Sequence, residues 1–235
     1  MKNFFTILGG MGTLASESFV RVLNERTVAK TDQDYLNYIL VNHAKIPDRT
    51  AYILGKSTES PVAALMEDLK QQDQLNPDFF VLTCNTAHTF YEELTAVTET
   101  PIFHMPRLAA ETVQANYKKK GEAVKVCLLA TLGTVDSGVY AKEFESVEGY
   151  DLVLPDEDLQ QEVMNLIYRD IKEHKFLNES LFKDILEQVT TTLGCDVAIL
   201  GCTELSLMNE VTKHRYPVVD AQSVLIDETI KQAKK

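Results

Sequence analysis

The chain has 235 residues, 45% of them hydrophobic and 25% charged, with a formal net charge of −12. That length admits one large domain or two of about 100 to 150 residues, and so acidic a balance speaks against nucleic acid and anionic membrane surfaces, which both need a basic footprint. No apolar run approaches the roughly 18 residues of a membrane span, and the four cysteines, at positions 84, 127, 195 and 202, lack the spacing of a disulfide scaffold, so reduced thiols in a cytoplasmic setting are expected.

Phe4–Leu8 reads as a buried first strand, cut short by Gly9-Gly10 before it could serve as the core of a signal peptide. After the turn Gly9–Thr13, residues Ala15, Phe19, Val22, Leu23 and Arg26 recur at three- and four-residue spacing, the period of a helix. Tyr38–Val41 is a second strand, leading through Asn42-His43 into the polar loop Ile46-Pro47-Asp48-Arg49-Thr50. Ser60-Pro61 predicts a helix start, with Ser as cap and Pro at the first helical position. The apolar run Phe79–Leu82, bounded by Asn76-Pro77-Asp78, predicts a buried strand that stops at Thr83-Cys84-Asn85-Thr86-Ala87-His88. A helical stretch and a short strand over Thr100–His104 close this first set.

A second set begins beyond Lys118-Lys119-Lys120-Gly121, with a strand over Val124–Leu129, another over Asp151–Leu154 and a helix capped by Asp156. A further helix carries Phe182, Ile185, Leu186, Val189 and Leu193, and the strand running into Leu200-Gly201-Cys202-Thr203-Glu204 repeats the form of the Cys84 strand. Tyr216–Val219 and a C-terminal helix end the chain. Strands alternating with helices predict an α/β fold with parallel sheets. Gly12-Thr13 recurs as Gly133-Thr134, Cys84 as Cys202 and Pro101 as Pro217, in one order and at nearly one offset. The expectation is therefore two similar parallel-sheet lobes related by a pseudo-twofold axis, with the active-site cleft between them. Residues 1–103 plus 219–235 would form the first lobe and residues 104–218 the second.

Ligands of open α/β sheets sit at the carboxyl ends of strands, and there this chain repeats a thiol. Inverting a carbon centre needs a base on one face and an acid on the other, and a thiolate and a thiol can fill both roles and exchange them after turnover. Asn85, Thr86 and Thr203, with the backbone N–H groups of helix starts, are suited to a carboxylate, and Arg49 to a second carboxylate in a bidentate fork. Cys127 and Cys195 lack polar followers and are expected in the core. His88 and Glu204 each stand near a key thiol, with a structural or a chemical role open; His43, His104, His174 and His214 belong to no constellation. Gly10-Met11-Gly12-Thr13-Leu14-Ala15 fits a dinucleotide fingerprint, but Asn42-His43 stands where the ribose-binding acid belongs, so close approach of the turn to a small anion is expected instead. No paired-cysteine metal spacing is present in the sequence, and no metal is expected.

In Leu8-Gly9-Gly10-Met11-Gly12, Cys84-Asn85-Thr86-Ala87-His88, Leu129-Ala130-Thr131-Leu132-Gly133-Thr134 and Gly201-Cys202-Thr203-Glu204-Leu205 the chain resembles the aspartate/glutamate racemase family, in its aspartate-racemase-like branch. The resemblance covers essentially the whole chain. It implies a racemase using neither pyridoxal phosphate nor metal, commonly a homodimer, with Cys84 and Cys202 as the acid/base pair and aspartate as the leading substrate. It further implies that Asn85, Thr86 and Thr203 bind the α-carboxylate and amino groups beside Met11, that Arg49 meets the side-chain carboxylate, and that Lys172 stands near the second cysteine. Two rivals remain at this stage. One is a related isomerase or decarboxylase of a small dicarboxylate, and the other is a non-catalytic amino-acid-binding regulatory protein that keeps the cleft.

Overall fold

The computed structural model describes residues 1–145 and 147–235. Its strands are β1 (Phe5–Gly9), β2 (Tyr38–Asn42), β3 (Phe80–Leu82), β4 (Ile102–Phe103), β5 (Val124–Leu129), β6 (Tyr150–Val153), β7 (Val197–Leu200) and β8 (Val218–Asp220). Its helices are α1 (Thr13–Arg26), α2 (Arg49–Ile53), α3 (Val62–Asp73), α4 (Tyr91–Thr95), α5 (Met105–Asn116), α6 (Leu132–Asp136), α7 (Ala141–Phe144), α8 (Glu157–Met164), α9 (Glu179–Thr191), α10 (Thr203–Val211) and α11 (Ala221–Ala233). Beyond Met164 the helix widens into π-type turns over Asn165–Glu173. Among the described residues no helix is long and apolar enough to cross a membrane.

The strands form two four-stranded parallel sheets of one design, β2-β1-β3-β4 and β6-β5-β7-β8. The strand alternation sorts the side chains of each sheet between two faces. Phe5, Ile7 and Val81 from one sheet, and Val124, Val126, Leu128, Val197 and Ile199 from the other, enter one shared core. Residues of α5 and α11 complete it, and these two helices pack on each other. The alternate positions, Leu8, Phe80 and Leu82 in the first lobe and Cys127, Leu129, Ala198 and Leu200 in the second, face separate outer cores. The same parity carried two residues past each strand puts Cys84 on the outer core of one lobe and Cys202 on that of the other. Both sheets are covered on both faces, and the central strands β3 and β7 accordingly read as unbroken apolar runs.

Several boundaries differ from the sequence reading by a residue or two, and at three of them proline chemistry accounts for the difference. The last strand is Val218–Asp220, because Pro217 has no N–H to give to a ladder; its carbonyl still accepts from Ala198 N–H at 3.0 Å. Pro101 does the same for Phe80 at 2.7 Å, so β4 begins only at Ile102. The prolines that mark the repeat in the sequence thus feed equivalent edge strands. Helix α3 begins at Val62 with Pro61 as the flanking residue, and the Ser60 hydroxyl accepts from Val62 N–H at 3.2 Å.

Candidate active site

The first thiol stands where β3 gives way to a tight 3-10 turn over Thr86–Phe90. Thr83 N–H donates to Leu8 O at 3.1 Å, extending the β1–β3 pairing by one residue, and the Thr83 hydroxyl lies 3.1 Å from that of Ser16 on α1. His88 is buried and pulled below the ordinary histidine pKa chiefly by that burial. Its Nε2 lies 3.2 Å from both Met105 N and Phe103 O, and its Nδ1 lies 2.8 Å from Cys84 O. His88 therefore clamps the backbone of Cys84 and does not touch its sulfur.

Arg49, at the start of α2, is 7% exposed and sits against the Cys84 thiol. Its terminal nitrogens donate to three carbonyls, Met11 O at 2.9 Å, Pro47 O at 3.0 Å and Ile46 O at 3.3 Å, leaving buried Nε without a partner. Burial works against its charge, but the neighbouring Cys84 sulfur and Asp48 carboxylate more than compensate, so its pKa lies above the ordinary arginine value.

The second thiol caps α10 and has the opposite surroundings. Cys202 donates its S–H to Glu204 Oε2 at 3.0 Å, and Glu204 Oε1 lies 3.5 Å from Lys172 Nζ. Burial first, and then the Glu204 carboxylate, push the Cys202 thiol well above the ordinary value against the pull of Lys172. Lys172 is itself held above the ordinary lysine value, since Glu204 and Cys202 overcome the cost of its burial. Its Nζ also lies 4.6 Å from the centre of the Tyr168 ring, one turn back on the π-type segment. Burial is the chief reason the Tyr168 phenol is pushed up to about 12. Thr203 is buried, and its hydroxyl donates to Glu204 Oε2 at 3.4 Å.

Hydrogen bonds cross from lobe to lobe around these groups. Tyr140 O–H donates to Asn85 Oδ1 at 2.5 Å, Tyr168 O–H to Asp48 Oδ2 at 3.4 Å and Thr50 O–H to Thr131 Oγ1 at 3.1 Å. The Thr86 hydroxyl meets those of Thr134 at 2.8 Å and Thr131 at 3.2 Å. Asn85 Nδ2 stays buried without a partner. All eight residues expected at the site (Met11, Arg49, Cys84, Asn85, Thr86, Lys172, Cys202 and Thr203) line one cavity with Asp48, Thr50, Thr131, Tyr168 and Glu204. Its free volume is about 10 Å³, about the room of one water molecule. An amino acid needs more room than the cavity offers in this closed form.

The sequence reading missed Asp48, Thr50, Thr134, Tyr140 and Tyr168 as parts of this site. Thr131 and Thr134 fall within a motif that carried the family resemblance, and that was their signal; Tyr140 had none. Gly10 has φ +93°, and a Cβ there would stand 2.5 Å from the His43 backbone. The chain's own backbone thus already demands glycine at this position.

The family model described as Asp/Glu/hydantoin racemase matches residues 8–229. Over 169 residues, 71% of this chain and 70% of the relative, the sequence is 25% identical to the broad specificity amino-acid racemase RacX of Bacillus subtilis. It is 30% identical to a glutamate racemase of Sulfurihydrogenibium over 166 residues, 68% of this chain and 59% of that enzyme. Among solved structures, the aspartate racemase of Picrophilus torridus superposes with a TM-score of 0.82 at 30% identity, covering 99% of this chain and 94% of that one. The chain belongs to the Asp/Glu/hydantoin racemase family and is an isomerase of the amino-acid racemase type.

Proposed function

We propose that the protein interconverts L- and D-aspartate without a cofactor, with Cys84 and Cys202 exchanging the Cα proton at opposite faces of the substrate. The observation that carries this reading is the unlike setting of two otherwise equivalent thiols: Arg49 lies against Cys84, while Cys202 donates its proton to Glu204. Two nearby thiols resist ionising together, and Cys202, which donates its proton to Glu204, is the one we assign as acid, with Cys84 as base for the opposite face. The Cys84 thiolate takes the Cα proton, Cys202 gives its own to the other face, and the pair is left ready for the opposite enantiomer.

Asn85 Nδ2 and the N–H groups at the starts of the Thr86–Phe90 turn and of α10 supply donors for the α-carboxylate. Enclosure strengthens each of these interactions, because little water remains to screen them. The choice of aspartate is supported by its racemase being 30% identical across nearly the whole chain, and by Arg49 and Lys172 as cations in the cavity. The resemblance further implies a homodimer in the cytoplasm, and sedimentation velocity tests the dimer.

Purified protein incubated with L-aspartate in D2O under reducing conditions, with nothing else added, should lose optical rotation as deuterium enters Cα. Cys84→Ala and Cys202→Ala should each lower racemisation by at least about a thousandfold, as expected when one of two proton-transfer groups is removed, with circular dichroism unchanged. Substantial racemisation in either variant would remove the two-thiol mechanism. Racemisation of other amino acids in preference to aspartate would keep the mechanism and change the substrate.

A further inference from the structure

Outside the cavity between the thiols lies a second space of about 300 Å³, and the two share a wall made by Met11, Arg49, Lys172 and Glu204. The inner cavity has room for about one water in this closed form. The outer chamber, by contrast, has the size of a small-ligand site. Leu14, Ile46, Ile171 and Leu207 give it apolar walls. Among the described residues its wall holds one carboxylate, Glu204, and that group is already engaged by Lys172 and the Cys202 thiol.

Three features make the rest of this chamber cationic. Helix α1 begins at its wall uncapped, since Gly12 offers no side chain and the first turn holds no acidic residue. The N–H groups there are the positive end of a 14-residue helix. Arg49, buried and with Nε unpartnered, borders the chamber as well as the inner cavity. Lys175 borders it too, and its ammonium enters no ion pair among the described residues. Lys175 ends the π-type segment by donating its N–H to Ile171 O at 3.1 Å, with φ +54°. Glycine closes such a turn without strain, so the lysine side chain stands there against the preference of the backbone. On its other side Lys175 borders a hollow whose Glu210 is taken by Arg21 and Ser18. In a chain of net charge −12, a space lined in this way draws anions where the remaining surface repels them.

We propose that the outer chamber is a carboxylate-binding anteroom, in which the start of α1 and Lys175 hold an acidic amino acid before it passes the shared wall to the thiols. Lys175 is then a specificity-determining residue for acidic over neutral substrates. The inference rests on the aspartate reading above and is independent of which thiol acts as base. A side-chain carboxylate in the chamber gains backbone N–H donors and an ammonium, whereas an uncharged side chain gains no ion pair. No covalent bond changes there.

Succinate tests the chamber by itself, because it lacks the α-amino group and cannot be racemised; succinamate, its monoamide, is the control of lower charge. Calorimetry at low ionic strength should show Lys175→Gln binding succinate about two- to fivefold more weakly, the worth of one exposed charge pair. Succinamate should lose less, Lys175→Arg should bind as the parent does, and about 0.5 M salt should erase the difference. With aspartate, Lys175→Gln should raise KM by the same factor while kcat changes less. Lys175→Gly should bind succinate as weakly as the Gln variant yet melt higher, since the turn is relieved. In crystals of the parent with succinate, one carboxylate should lie on the N–H groups at the start of α1.

An unchanged succinate affinity in Lys175→Gln, equal losses for succinate and succinamate, or succinate lying only between the thiols would overturn the anteroom. If aspartate is not racemised at all, the aspartate reading falls by itself, because the succinate measurements involve no turnover and still decide the chamber.

Discussion

Asn85 carries an amide whose two ends have been made unequal by a residue 55 positions away. Tyr140 is fully buried, and its O–H fixes Asn85 Oδ1 as the acceptor; Nδ2 is thereby left as donor in the cavity. Without that bond the amide could turn over and present an oxygen to a carboxylate. Tyr140→Phe keeps the ring and removes only the hydroxyl. The net worth of such a bond is about 0.5–1.5 kcal/mol, so KM should rise by roughly two- to twelvefold while kcat changes less. Steady-state kinetics on both enantiomers checks this, and an unchanged KM would show that the amide is oriented by something else. The sequence could single out Asn85 because it follows a strand-end cysteine. It could not single out Tyr140, whose part depends on packing between the lobes and leaves no local pattern.

Helices α2 and α6 meet where the two lobes touch, and a glycine sets how closely. Gly133, on α6, would as alanine place a Cβ 2.7 Å from Thr50 Cα and 2.8 Å from Thr50 Oγ1. On helix propensity alone alanine is better by about 1 kcal/mol, but the obstacle here is backbone, and overpacking of this kind costs about 1–3 kcal/mol. Gly133→Ala should therefore lower the melting temperature, at about 2–4 °C per kcal/mol for a chain of this size. It should also raise KM, because the Thr50–Thr131 and Thr86–Thr134 contacts lie at the same seam. An alanine variant as stable as the parent would mean that the lobes yield freely there. Much at this scale was legible. Short apolar runs placed the strands, and Asp156 was read as the cap of α8, where its carboxylate does accept from Leu159 N–H at 2.9 Å. Among the misplaced ends were those at Pro61, Pro101 and Pro217, where the ring decides which backbone groups remain to pair.

At the scale of the whole molecule, three landmarks at one offset foretold two lobes of one plan, since equivalent sheets need the same turns and edge residues in the same order. Less legible was how the lobes are joined. The shared core runs through α5 and α11, and neither helix differs in its periodicity from helices that serve one lobe. His104 caps α5 by accepting from Arg107 N–H at 3.1 Å, and its ring stands edge-on to Tyr91 at 4.5 Å and to His88 at 5.3 Å. Burial first, then His88 and Arg107, depress its pKa from 6.5 to about 3. The imidazole is consequently neutral at pH 7, and its 3.8 Å approach to Glu143 is no ion pair there. Between pH 6.5 and 3 the unfolded chain binds the His104 proton and the folded chain does not. The stability this neutral imidazole contributes is thus complete above pH 6.5 and drains away as the pH falls towards 3. His104→Asn keeps a side-chain acceptor at the cap and removes the titration. Taking the difference between their urea midpoints removes what the two proteins share and leaves His104 together with its coupling to His88. That difference should shift steadily in favour of the variant from pH 6.5 down to pH 4. Midpoints that fall in parallel would show that the junction between the lobes accepts the imidazolium after all, and that acid weakens the fold elsewhere.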